Sequence, residues 1–210
     1  MVRDGRFDAG RRRWLAGVAE TTALAVWPGV GVSADAAVAT VAAAAAELDG
    51  LVARFGALPA NGEVRRVFAA GPPAGVLLAA VAPQKLLGWP MKLPAQARAW
   101  MGEPLADLPY LGRLAGRGST MPLEALLELQ PDLVLDSGTV DATYLSGTER
   151  LHRQTGLPCV LVQGGLADSA RQLRAVGALL GESARVERLA AFADEVLRLA
   201  AQVTRDVSAE

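Results

Sequence analysis

Residues 112–138 read GRLAGRGSTMPLEALLELQPDLVLDSG, and this stretch restricts the fold more than any other. A glycine-broken basic loop (Gly116, Arg117, Gly118, Ser119) runs into 122–129, where Leu123, Leu126, Leu127 and Leu129 recur at helical spacing with a proline at the first turn. A Pro131-Asp132 break follows. The apolar run 133–136, closed by Ser137-Gly138, then predicts a buried strand. Loop, helix and strand in this order make a βαβ half, and none of its residues forms a catalytic dyad.

The same alternation extends in both directions. Residues 64–70 predict a strand, 74–81 a short apolar helix, 85–88 a second short strand and 95–101 a polar helix, with a Pro/Gly-punctuated loop over 102–112. Beyond the central unit, 141–155 predicts a helix, 158–162 a strand, and 167–180 an amphipathic helix with Gly181 at its C-terminal end. A long helix over 183–204 closes the pattern, with Val186, Leu189, Ala190, Ala193, Val196, Leu197 and Leu199 at helical spacing. Strands alternating with helices imply an α/β fold, a parallel sheet flanked by helices on both faces. At 210 residues and 51% hydrophobic, the chain can bury one core with appendages but not two full α/β domains.

The first sixty residues read differently. Arg11-Arg12-Arg13-Trp14-Leu15 precedes a moderately apolar run and an Ala34-Asp35-Ala36 site, the pattern of a twin-arginine export signal over 1–36. A solvated basic tail before a surface helix is the alternative. Glu20 and Pro28 make the run a poor membrane span. Residues 37–55 are Ala-rich, and Val38, Val41, Ala45, Leu48, Leu51 and Val52 predict an amphipathic helix, ended by Gly56 and a linker to residue 62.

Charge and composition narrow the function. With 21 Lys+Arg against 22 Asp+Glu the net charge is -1, so no global field draws the chain to nucleic acid. His152, the single histidine, falls in a predicted helix between charged residues and reads as a solvated side chain. Cys159, the single cysteine, falls in an apolar strand and reads as a small buried hydrophobe. Mechanisms that need a histidine base are hard to build, and one His with one Cys and no spaced carboxylates predicts no metal site. Gly116-x-Gly118 lacks both a preceding strand and a third glycine, so it is no dinucleotide fingerprint. No cofactor is expected.

Ligands of parallel sheets sit outside the carboxyl ends of the strands. Those ends predict a binding set of Trp89, Lys92, Arg113, Arg117, Ser119, Thr139 and Tyr144. Trp and Tyr offer flat apolar area with a polar tip, and Arg a planar fork for carboxylates or phenolates. Singly, Trp89 and Tyr144 also read as rim packing, and Lys92 and Arg113 as solvated charges.

The segments RVFAAGP (66–72), KLLGWP (85–90), LPYLG (108–112), LEALLELQPDLVLD (123–136), TGLP (155–158) and LLG (179–181) together resemble one family. This is the iron-siderophore, cobalamin and haem class of periplasmic binding proteins of ABC transporters, and the likeness lies in its N-terminal lobe, from residue 63 onward. The resemblance implies a Rossmann-like lobe of a class III binding protein over 63–182 and the start of an inter-lobe helix over 183–210. It also implies a periplasmic location and a metal-chelate ligand clamped between two lobes. Partner permease subunits would be docked by Glu124, which matches the family's N-lobe glutamate. The second lobe has no counterpart in the sequence. A lobe acting as a structural or interaction module, dimerising through its long helix, is the second reading.

Overall fold

The computed structural model describes residues 51–60, 63–115 and 118–207. The export signal over 1–36, the helix over 37–50 and Arg117 lie outside the described residues.

Alternation along each strand builds two cores on one sheet. In β4 (Cys159–Gln163) Val160 and Val162 face one way and Cys159 the other, and all three are fully buried. Val160 and Val162 join Val67 and Ala69 of β2 (Val67–Ala69) and Leu133 and Leu135 of β3 (Leu133–Gly138). That face is covered by α1 (Pro72–Val81) and α5 (Ser169–Leu180). On the other face, Cys159, Phe68 and Val134 pack against Leu126 of α3 (Leu123–Glu128) and Leu145 and Leu151 of α4 (Ala142–Thr155). β2, β3 and β4 are parallel, as the alternation of strands and helices predicts. The short helix α2 (Ala95–Met101) lies outside both cores and leaves Trp100 largely exposed.

Among the described residues the sheet has four strands in the order β1 (Val52–Phe55), β4, β3, β2, and its first member corrects the reading of 37–55 as one helix. Residues Val52–Phe55 form β1, antiparallel to β4 with Val52 opposite Val162 and Phe55 opposite Cys159. The spacing of Leu48, Leu51, Val52 and Phe55 is helical, but the four residues Val52–Phe55 alone are too short a run to fix either period. The open side of β4 decides: β1 satisfies its backbone, and Gln163 N–H donates to Leu51 O at 2.8 Å. Val52 then packs with one core and Phe55 with the other.

The strand expected over 85–88 is also absent. Pro83–Lys85 makes a single 3-10 turn, and the chain meets β2 only at a bridge between Val67 and Leu86, with Leu87 N–H donating to Val67 O at 3.1 Å. Pro90 has no N–H to extend a ladder. Trp89 turns away to bridge Tyr110, its N–H donating to Pro109 O at 2.7 Å.

Helix ends follow local chemistry. The Asp141 carboxylate accepts from Thr143 N–H and Tyr144 N–H, each at 2.9 Å, and starts α4. Gly181, with φ 72, ends α5 in the left-handed region. The long helix α6 (Ser183–Val207) then returns along α5, burying Val186 and Ala190. A Cβ on Gly177 would lie 2.7 Å from Val186 Cγ2, so the two helices meet where only glycine fits. Arg174 fastens the crossing with bonds to Glu187 at 2.8 and 3.0 Å and to Asp194 at 3.0 Å. No helix among the described residues is long and apolar enough to cross a membrane.

Candidate functional site

At the carboxyl end of β2, Ala70 O accepts from Leu114 N–H at 2.8 Å and Ala115 N–H at 3.0 Å, which lays the 112–121 loop across the strand end. The loop closes on itself. Thr120 N–H and Met121 N–H donate to Arg113 O at 2.8 and 3.2 Å, and Arg113 N–H donates to Thr120 Oγ1 at 3.0 Å. Gly112, with φ 91, permits the approach, because a Cβ there would lie 2.9 Å from Thr120 Oγ1.

Two of the expected binding residues meet inside this loop. Arg113 Nε donates to Gly118 O at 3.1 Å, and Ser119 Oγ bonds Arg113 O at 3.2 Å and Met121 O at 3.0 Å. Their polar groups are thus held by backbone partners in one closed turn. Thr139 sits exposed just after β3, where Gly164 N–H donates to Gly138 O at 2.7 Å and Gln163 Oε1 accepts from Val140 N–H at 2.9 Å. Tyr144 stands in the first turn of α4 and is 37% exposed.

Trp89 and Lys92 lie elsewhere. Trp89 is 2% exposed, and its indole N–H donates to Leu105 O at 2.8 Å. This corrects its place in the binding set: the ring is core, and the Pro90 turn that hides it carries no periodic signal. Lys92 is exposed, with Nζ 5.7 Å from the Tyr110 ring centroid, a cation–π pair on the surface. Glu124 is exposed in the first turn of α3.

Asp136 is the residue that the sequence reading passed over. It is 7% exposed near the carboxyl end of β3, and its Oδ1 accepts from Ser137 N–H at 2.9 Å. Oδ1 would lie 3.3 Å from a Cβ on Gly71, and Ala115 Cβ would lie 3.8 Å from that same position. The carboxyl group therefore sits where β2, β3 and the 112–121 loop converge. Burial pushes its pKa up, partly offset by the Ser137 hydrogen bond. The period of the strand could have found it, since Asp136 shares a face with buried Val134.

The single histidine and the single cysteine both serve the packing. His152 is half-buried rather than solvated: Nδ1–H donates to Leu157 O at 2.8 Å, and the ring lies against Gly56, where a Cβ would come within 3.0 Å of Nδ1. Cys159 is fully buried, and its thiol is pushed up to about 12 by burial. No group of three or more His, Cys, Asp or Glu among the described residues could hold a metal ion.

The family model described as "Periplasmic binding protein" matches residues 61–209. No curated protein matches the sequence. Among solved structures, the chain is similar to an ABC transporter solute-binding protein from Sulfurospirillum deleyianum, with 19% identity and a TM-score of 0.53 over 63% of this chain and 41% of that one. It is also similar to a periplasmic solute-binding protein from Veillonella parvula, with 18% identity and a TM-score of 0.51 over 68% of this chain and 43% of that one. The chain thus spans less than half the length of either structure, as one lobe of a larger binding protein would.

Proposed function

The chain belongs to the periplasmic binding protein family, and from this we propose that residues 63–182 form one wall of a site for a metal chelate or tetrapyrrole outside the cytoplasmic membrane. The ligand class is that of ferric siderophores, haem and corrinoids. The observation that carries this reading is the closed 112–121 loop, which holds Arg113 and Ser119 over the carboxyl end of β2 beside buried Asp136. An arginine held at a strand end meets carboxylates, phenolates or propionates on a flat ligand face with a planar fork. Thr139 and Tyr144 follow β3 at the same edge and extend this wall, and Arg117 is proposed as a further ligand contact from the sequence alone. Lys92 contributes at the periphery through the Tyr110 ring.

Permease subunits of an ABC transporter are the partner, and Glu124 is the docking carboxylate. It stands exposed in the first turn of α3, within reach of a partner's cations. Export through the twin-arginine signal places the protein in the periplasm.

Isothermal titration of the purified chain with ferric siderophores, haem and corrinoids tests the ligand class. One wall leaves much of a large ligand in water, so the expected affinity is weak. Arg113→Ala lowers it about tenfold, the loss of one charge-assisted contact. Silence across the panel removes the reading. Glu124→Lys spares binding and abolishes uptake, and equal loss of both refutes the docking assignment.

A further inference from the structure

Among the described residues Asp136 is the only charged side chain that is buried, at 7% exposure, and its hydrogen-bonding capacity is half used. Oδ1 accepts from Ser137 N–H at 2.9 Å, and no other hydrogen bond or ion pair reaches the carboxyl group. Every fully buried side-chain nitrogen or oxygen among these residues has a partner, so Oδ2, which has none, touches the surface. A carboxylate in this state lowers stability, because most of its water is removed and no cation replaces it.

The corner around it is poor in donors. Gly71 stands beside Asp136 at the end of β2, and α1 begins there with Pro72 and Pro73, which have no N–H to turn toward the carboxyl group. The loop above directs Leu114 N–H and Ala115 N–H to Ala70 O, and Arg113 Nε to Gly118 O. Room is present, however. A Cβ on Gly71 would lie 3.3 Å from Oδ1 and 3.8 Å from Ala115 Cβ, so the glycine leaves space for a small group between the carboxyl group and the loop.

Taking the carboxyl edge of the sheet as the ligand wall proposed above, we infer that Asp136 is a ligand-contacting acceptor that selects chelates with an ammonium, amide N–H or hydroxyl donor on their rim over those with carboxylates alone. Arg113 and Asp136 then divide the ligand face, the guanidinium taking an anionic group and the carboxylate a donor. A charge-assisted hydrogen bond in a largely dehydrated corner is stronger than the same bond at the surface. A ligand carboxylate brought to the same place meets a like charge, so one residue both attracts and rejects. A group that lowers stability is kept at a strand end because binding uses it.

Isothermal titration of the full chain with two matched pairs of chelates tests this. Ferrioxamine B and its N-succinyl derivative share a ferric trihydroxamate and differ in an ammonium or a carboxylate; cobinamide and cobyrinic acid share a corrin and differ in amides or carboxylates. The donor-bearing member of a pair is expected to bind about tenfold more tightly, the effect of one charge-assisted contact. Asp136→Asn keeps the side-chain size and an acceptor for Ser137 N–H; it is expected to cut the preference several-fold, with thermal unfolding at or above the wild-type temperature. Gly71→Ala keeps the carboxylate but fills the space beside it, and is expected to cut the preference likewise. Equal affinity within each pair, tighter binding of the carboxylate member, a preference that survives Asp136→Asn, or binding confined to haem overturns the role of Asp136 and leaves the wall standing. Silence of every chelate removes the wall, and this inference with it.

Discussion

Gly177 lies against Val186 so closely that any side chain at 177 would displace a branched neighbour, with three Val186 atoms 2.7 to 3.1 Å from the missing Cβ. Gly177→Ala should gain about 1 kcal/mol of helix propensity and lose about 1–3 kcal/mol to overpacking. The expected outcome is net destabilisation of about 1 kcal/mol in urea unfolding. Adding Val186→Ala should cost less in this background than in the wild type, because the clash is then relieved.

Asp132 gives the Pro-Asp break a physical role. Its carboxylate accepts both Arg65 N–H at 2.7 Å and Arg66 N–H at 2.8 Å, and its own N–H donates to Arg66 O at 2.8 Å, tying the start of β3 to the residues before β2. Hydrogen bonds to a charged acceptor are among the stronger ones, so Asp132→Ala should cost about 2 kcal/mol after allowing for its partial exposure. Asp132→Asn, which keeps an acceptor oxygen without the charge, should fall between the two. Equal stability of all three chains in denaturant titrations would contradict this role.

Asp136 should make stability depend on pH with an unusual sign. Burial raises its pKa in the folded state, so the folded protein binds this proton more readily than the unfolded chain. The contribution of this group to stability therefore falls as pH rises through the raised value and is lost above it. Asp136→Asn keeps an acceptor for Ser137 N–H and should be more stable than wild type at neutral pH. The difference should shrink as the medium is acidified toward the ordinary carboxylate range. Urea midpoints of both chains across that range test it, and a constant offset would refute it.

Cys159 should be chemically silent in the native protein. Its thiol is buried and pushed up to about 12, so almost no thiolate forms at pH 8. Iodoacetamide should label the unfolded chain once and the folded chain only at the rate of global opening.

These residues also show which features a sequence carries locally. The Asp141 cap, the Gly181 stop and the buried run of β4 depend on neighbours within a few positions, and each stands where the spacing puts it. β1 was not legible, because the four residues Val52–Phe55 are too short a run to fix either period and only the open edge of β4, more than a hundred positions away, selects the strand. Trp89 was misplaced for a similar reason: a Trp-Pro turn at a strand end looks exposed until Leu105 O accepts its indole N–H. In the 112–121 loop, the glycines and the basic residue announced a turn. The closure onto Ala70 O and the nearness of Asp136 exist only once β2 and β3 are paired.

The two outer strands have a consequence for how the protein resists misassembly. β2 is three residues long, and its outer side is occupied where Leu87 N–H reaches Val67 O. β1 is four residues long, carries Arg54 and ends at Gly56, whose φ of 83 turns the backbone out of the sheet direction. Neither rim offers the long flat row of free amides and carbonyls that templates strand addition. Fibril growth by edge-to-edge pairing of these two rims is thereby disfavoured from the native state.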